Sequence, residues 1–392
     1  MHNHTPACQP PRPSPPINRR TVLSAAISLP WLGHLGGARA QDSVLKIGQS
    51  TALTGPLGDL GSAMHQGAKA AFAGINARGG VNGRTIELVT LDDAYEVPKA
   101  LANVEKLMAE RDTFALFNCM GTPMIDAMLP KVLESGIPFF APFTGAQLSR
   151  IATARSVFNI RASYADEAEK LVQHLSTIGV QRIGIVYQNN AFGKEIFNAA
   201  KQSMDRLKLP GAIAVTVENN ASDASSAAAK LAGGNLEAIV VGLAGKPTLE
   251  FVKAFRALQR GVTLYALSVM GTPATVKALG LDATGMAISQ VVPLPSNVVM
   301  PVVREFQSAW KASGATAEPS HLALEGYINA RVFAEALQRA GRNPTRAAFI
   351  DATWNLKKWD LGGFEINAST PERNASRFVE LTLVGRDGRF IR

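Results

Sequence analysis

Reactive side chains are sparse in this 392-residue chain. Three of its six histidines precede residue 41, and the other three, His65, His174 and His321, are not spaced as a metal-ligand set. No Gly-x-Ser-x-Gly elbow occurs, and Gly55, Gly58 and Gly61 lack the spacing of a dinucleotide loop. Asp92-Asp93 is the best acid/base candidate, but neighbours on an extended strand point to opposite faces, which favours a structural role. Tyr95, just beyond them, is placed to line a cleft. The cysteines are Cys8 and Cys119. No catalytic residue, metal or cofactor is therefore expected.

The start of the chain gives a different kind of information. Residues 1–20 carry arginine, histidine and proline but no acid, an apolar run spans Val22 to Leu35, and Ala38-Arg39-Ala40 follows. That is the layout of a secretory signal cleaved before Gln41, with the mature protein in the periplasm. Arg19-Arg20 resembles a twin-arginine signal; an ordinary secretory signal holding two arginines is the simpler alternative. A buried or membrane-anchoring helix competes with both, but Pro30 and Gly33 interrupt the run. The segment holds four arginines, so the formal charge of +9 falls to +5 on its removal, with no run of like charge left. Nucleic acid is not an expected partner. Cys119 would then stand alone, without an internal disulfide or a lipid-bearing cysteine after the signal.

Such sparse chemistry needs a scaffold, and the hydrophobic pattern supplies one. Strands are expected at 44–48, 86–91, 114–117, 138–141 and 157–160, and again at 182–187, 212–217, 238–241, 264–267 and 286–292. Helical spacing lies between them: 62–78 stops at Gly79-Gly80, and 97–110 has apolar residues at 97, 100, 101, 104, 107 and 108. Further helices begin near Phe192 and at Pro247, two long ones cover 298–312 and 321–340, and a last strand pair lies at 378–384 and 389–391. Two successive βα arrays predict an α/β protein of two doubly wound, Rossmann-like lobes. A cleft between such lobes suits ligand capture by hinge closure.

A series of segments then carries a family likeness. Leu53-Thr54-Gly55-Pro56-Leu57-Gly58, Ile75-Asn76-Ala77-Arg78-Gly79-Gly80, Leu91-Asp92-Asp93-Ala94-Tyr95, Ser135-Gly136-Ile137-Pro138 and Phe192-Gly193-Lys194-Glu195 follow in order. The chain resembles the branched-chain amino-acid (Leu/Ile/Val) binding proteins, type I periplasmic solute-binding proteins of ABC importers. The resemblance implies three crossings between lobes, near 164, 292 and 370. Lobe one would be 41–164 plus 293–370, and lobe two 165–292 plus 371–392. It also implies a monomer that binds a small-molecule ligand and delivers it to an importer permease in the inner membrane. A sensor feeding a signalling partner shares the fold, and an exported α/β enzyme is the more distant alternative.

The family's ligand-binding positions map onto Leu60, Tyr95, Thr122, Phe143, Thr144, Gly145, Phe192 and Met270. The resemblance gives Thr122 the ligand carboxylate. A hydroxyl beside free N–H groups ahead of a helix suits an anion, and capping that helix is its competing role. The hydroxyl of the next loop falls on Thr144 or is displaced to Gly145, and Phe143 beside it competes as a core residue. Phe192 is the aromatic lid, or a residue buried in its own lobe. Met-Gly-Thr-Pro occurs twice, at 120–123 and 270–273, as two cleft-facing loops or as a recurring turn. Two positions depart from the family. Met270 stands where amino-acid binders place a carboxylate, and Ala244 where many place an aromatic. The ligand expected is a small organic acid with an apolar or aromatic body and no α-amino group.

Overall fold

The structure, a computed structural model, describes residues 44–392, together with Met1 and Pro13. The expected signal and its cleavage point lie outside the described residues.

The first lobe opens with β1 (Leu45–Thr51), α1 (Gly58–Ala77), β2 (Ile86–Asp92), α2 (Val97–Ala109), β3 (Thr113–Phe117), α3 (Thr122–Ser135), β4 (Phe139–Phe140) and β5 (Val157–Phe158). The second runs through α4 (Tyr164–Thr177), β6 (Ile183–Gln188), α5 (Ala191–Arg206), β7 (Ile213–Val217), α6 (Ala224–Ala232), β8 (Ala238–Gly242), α7 (Lys246–Leu258), β9 (Thr263–Ala266), α8 (Pro273–Leu279) and β10 (Ala287–Gln290). The chain then returns to the first lobe for α9 (Pro301–Ala312), α10 (His321–Arg339), α11 (Arg346–Trp354) and the hairpin β11 (Trp359–Asp360)–β12 (Glu365–Ile366). It ends in the second with β13 (Glu380–Val384) and β14 (Phe390–Ile391).

The first sheet has the order β2-β1-β3-β4-β5, all parallel. The second has β7-β6-β8-β9-β10, also parallel, extended by antiparallel β13 and β14. Both lobes thus repeat one doubly wound order, as expected from the two βα arrays. Central strands are covered on both faces and read as continuous apolar runs; every residue of β8 is buried. In each lobe the order reverses beside the first strand, between β1 and β3 and between β6 and β8. Open α/β sheets take ligands at the carboxyl ends of strands flanking such a point.

Helices α1 and α10 meet through two glycines. A Cβ on Gly67 would stand 1.8 Å from the Ala323 carbonyl oxygen, and one on Gly326 would stand 2.0 Å from that of Met64. This close approach fixes the start of α10, including Glu325, against the cleft-side helix α1. Behind them Phe72, Phe117, Phe140, Phe158, Phe333 and Phe349 form the aromatic core of the first lobe.

The last crossing differs from expectation. Asn374 bridges to Asn159, and the amides of Ala375 and Ser376 donate to the carbonyls of Asn159 and Ile160. Residues 374–376 therefore line the edge of the first sheet, and the chain leaves it after Ser376 rather than at 370. Extended backbone pairing with the open edge of β5 holds this segment; no apolar periodicity marks it in the sequence.

Candidate functional site

The carboxyl edge of the first sheet is built from two loops that prolong the pairing of β3 and β4. The amide of Phe143 donates to the Cys119 carbonyl (2.8 Å), and that of Gly121 to the Phe143 carbonyl (3.2 Å). Gly121 has φ +98, and a Cβ there would strike Met124 at 2.2 Å and Tyr95 at 2.8 Å. This turn sets Thr122 opposite Thr144, with their hydroxyl oxygens 2.8 Å apart. Both side chains are buried. Gly121 is the N-cap of α3, and no side chain caps its first turn. Thr122 thus lacks the capping role that competed for it, and it shares the partly positive end of the helix with the first-turn amides. Thr144 does serve its own loop, accepting from the Ala146 amide (3.1 Å).

The second lobe brings rings to this edge. Asn190 caps α5 by accepting from the Gly193 amide (3.1 Å), which puts Phe192 in the first turn. The Phe192 ring meets that of Tyr164 edge-on, centroids 5.4 Å apart. Tyr164 opens α4 behind a capping box of Ser163 and Asp166. Its ring lies so close to Gly145 that a Cβ there would come within 2.4 Å. Leu60, Met64, Met120, Phe143, Tyr164, Phe192 and Ala244 belong to one buried cluster spanning both lobes.

The lobes are closed on each other. Thr272 and Thr275 donate to Asp59 Oδ2 across the cleft (3.0 and 3.2 Å), and the Gln147 amide donates to Glu195 Oε1 (3.1 Å). Gly245 faces Pro56 with no room for a Cβ, which would fall 2.4 Å from its carbonyl oxygen. The two Met-Gly-Thr-Pro segments have different tasks. Thr122 of the first caps nothing, whereas Thr272 of the second caps α8 and bridges the lobes.

Beneath Phe143 and Tyr164 lies a buried charge cluster. The Arg161 guanidinium carbon is 5.5 Å from the Phe143 ring centroid and 5.6 Å from that of Tyr164. Its Nη2 donates to Glu167 Oε1 (2.9 Å) and Ser268 Oγ (2.5 Å). Glu167 Oε2 also accepts from the Ser268 amide (2.9 Å) and Ser289 Oγ (2.7 Å). Glu325 Oε1 stands 3.6 Å from Arg161 Nη1, near enough for attraction but beyond a hydrogen bond. Burial pushes the Glu325 carboxyl up to about 7; Arg161 opposes that shift and Glu167 adds to it. Burial also works against the charge of Arg161, and the two glutamates outweigh it.

The structure brings Thr122, Thr144, Phe143, Gly145, Leu60 and Phe192 together, with Tyr95 against Gly121 at their margin. Met270 is set apart. Its side chain packs into the second lobe's own core, and it lines a cavity of about 10 Å³ with Ser268, Pro273 and His321. Asp92 and Asp93 diverge as strand alternation requires. Asp92 accepts from the Leu53 amide and the Thr54 hydroxyl, and Asp93 from Ser50 Oγ and the Tyr95 amide (2.8 and 2.9 Å). Asp93 therefore holds Tyr95 in its left-handed conformation, φ +63. Arg161, Tyr164 and Glu167 escaped the sequence reading. The one signal was an arginine inside the apolar run 157–162, directly before the Ser163 cap.

A profile of the family described as periplasmic binding proteins matches residues 44–388. The chain belongs to this family. This periplasmic binding protein is similar to a solved substrate-binding periplasmic protein from Ralstonia solanacearum, with 34% identity, a TM-score of 0.83, and coverage of 88% of this chain and 99% of that one. It also matches the structure of a possible leucine/isoleucine/valine-binding protein from Rhodopirellula baltica, with 28% identity, a TM-score of 0.84, and coverage of 90% and 97%. In sequence it is 24% identical to Leu/Ile/Val-binding protein homolog 7 of Brucella melitensis, over 93% of this chain and 95% of that protein. The likeness to the branched-chain amino-acid binding proteins and their type I fold is borne out. These relatives are solute-binding proteins, not enzymes.

Proposed function

We propose that this periplasmic binding protein is the solute-capturing component of an ABC importer and that its solute is a small organic acid. The carrying observation is the buried pair of hydroxyls, Thr122 and Thr144, at the carboxyl edge of the first sheet beside an uncapped helix start. A carboxylate there would accept from hydroxyls and first-turn amides in a site closed to water. Phe143, Tyr164 and Phe192 offer a wall for an apolar or aromatic body.

The uncharged side chain at Met270 favours an acid over an amino acid. Glu167 is fully engaged by Arg161, Ser268 and Ser289, and Glu325, 3.6 Å from Arg161, is pushed toward its neutral form by burial. Met270, mapped to the family's ammonium partner, carries no charge and packs against its own lobe's core. A buried ammonium without a partner would cost several kcal/mol. The fold itself admits such acids: a solute-binding protein from R. palustris, 20% identical to this chain and of TM-score 0.80, was crystallised in complex with benzoate.

The chain enters the periplasm, on this reading, with its signal removed before Gln41, works as a monomer and passes its ligand to an inner-membrane permease. The direct test is mass spectrometry of whatever denaturation releases from protein purified out of its own periplasm. A released carboxylic acid without an α-amino group supports the reading, and stoichiometric release of an amino acid contradicts it.

A further inference from the structure

The Arg161 side chain is 2% exposed, yet it is only partly engaged. Nη2 serves Glu167 and Ser268, while Nε and Nη1 make no hydrogen bond to any described residue. A buried guanidinium normally satisfies its donors, because each one left unmade costs the full loss of its hydration. The Glu325 carboxylate stops at 3.6 Å from Nη1. The flanking groups are the rings of Phe143 and Tyr164, which wall the proposed ligand cleft. Arg161 also belongs to neither sheet: it lies on the first crossing between the lobes, between β5 and α4.

We infer that Arg161 is a specificity-determining residue whose Nε–H and Nη1–H hold a second oxygen acceptor of the solute, apart from the carboxylate assigned to Thr122 and Thr144. The inference rests on the proposed acid-binding function and narrows its substrate class. The preferred solute is an acid with a further oxygen on its body: a ring hydroxyl, a carbonyl or a second carboxylate. An acid with a bare hydrocarbon body would leave two buried donors unpaired, the situation in which a polar site discriminates most strongly. The engagement of Nη2 by Glu167 and Ser268 keeps the guanidinium plane fixed, so the free donors present one orientation to the ligand.

Matched probes test this by titration calorimetry on the full mature protein: benzoate against 4-hydroxybenzoate, and hexanoate against hexanedioate. In at least one pair the oxygen-bearing member is expected to bind about tenfold more tightly or better. Arg161→Lys keeps a charge for Glu167 but loses the fixed donors, and it should reduce that ratio to within about threefold. Equal affinities within both pairs would overturn the inference while leaving acid capture intact. So would a preference that survives Arg161→Lys. Failure of all four acids, with binding of an α-amino acid, would overturn acid capture and this inference together. Should the variant not fold, a crystal structure of the native protein with its tightest probe decides. A probe oxygen within hydrogen-bonding distance of Nε or Nη1 supports the inference, and water alone on both atoms refutes it.

Discussion

Thr272 in the second lobe donates its hydroxyl to the Asp59 carboxylate in the first, Oγ1 to Oδ2 3.0 Å, while the same hydroxyl caps α8. One side chain therefore ties the order of a second-lobe helix to closure of the cleft. Asp59 is exposed, so solvent competes for it and the bond is worth about 1 kcal/mol. Asp59→Ala should weaken solute binding roughly fivefold without changing unliganded stability by more than a few tenths of a kcal/mol. Small-angle scattering should show a larger radius for the variant at subsaturating ligand. Identical compaction curves for variant and wild type would remove Asp59 from the closure mechanism.

Thr122→Ala should weaken binding of a carboxylate ligand by about 1.5–3 kcal/mol, the range for a hydrogen bond to a charged group. Without ligand the variant should lose about 1 kcal/mol of stability, for the bond to Thr144, and no more, because Thr122 caps no helix. Thr122→Ser should restore most of the affinity. A large loss of stability with unchanged affinity would return Thr122 to a structural role.

Much of this architecture is legible in the sequence, and the reason is physical. Central strands such as 238–242 are buried on both faces, so their apolar runs and flanking turns announce them. Helices such as α2 and α7 bury one stripe, which spacing reveals. Thr122, Thr144 and Phe192 are legible as candidates because each follows closely on a readable strand, Thr122 and Phe192 in the first turn of the next helix. Arg161 was not, because its significance lies in contacts with residues as distant as Ser268, 107 positions away. The packing of Met270 is hidden from the sequence for a related reason. The turn that starts α8 directs its side chain inward, and nothing in Met-Gly-Thr-Pro records that direction.

Glu325 makes a pH prediction with a definite sign. Its folded pKa, about 7, lies above the unfolded value near 4.5. The native state therefore holds the proton more tightly, so this contribution is present below about 4.5 and is lost as pH rises to about 7. Asp93, pushed up to about 6 by burial, acts in the same sense. His65 and His321, driven down to about 4 and about 3 by burial, act in the opposite one. The raw stability profile is thus a compromise, and Glu325→Gln isolates one component. Between pH 4.5 and pH 8 the variant should gain stability relative to wild type, on the order of 1–3 kcal/mol. Parallel profiles in denaturant titrations would contradict the assignment.

Gly326→Ala should separate α1 from α10, since the new Cβ would overlap the Met64 carbonyl oxygen at 2.0 Å. The expected loss is about 1–3 kcal/mol in urea unfolding, with solute affinity reduced as well because Glu325, beside Arg161, shifts with the helix. A neutral substitution would mean that the helix pair tolerates a wider spacing than the closed structure has.

The central claim is that this cleft captures an acid and not an amino acid. Titration calorimetry on the mature protein with valine, its 2-oxo acid and benzoate tests it most directly. The account predicts saturable binding of at least one of the two acids and none of valine at the same concentrations. Tight binding of valine, with neither acid binding, would contradict it.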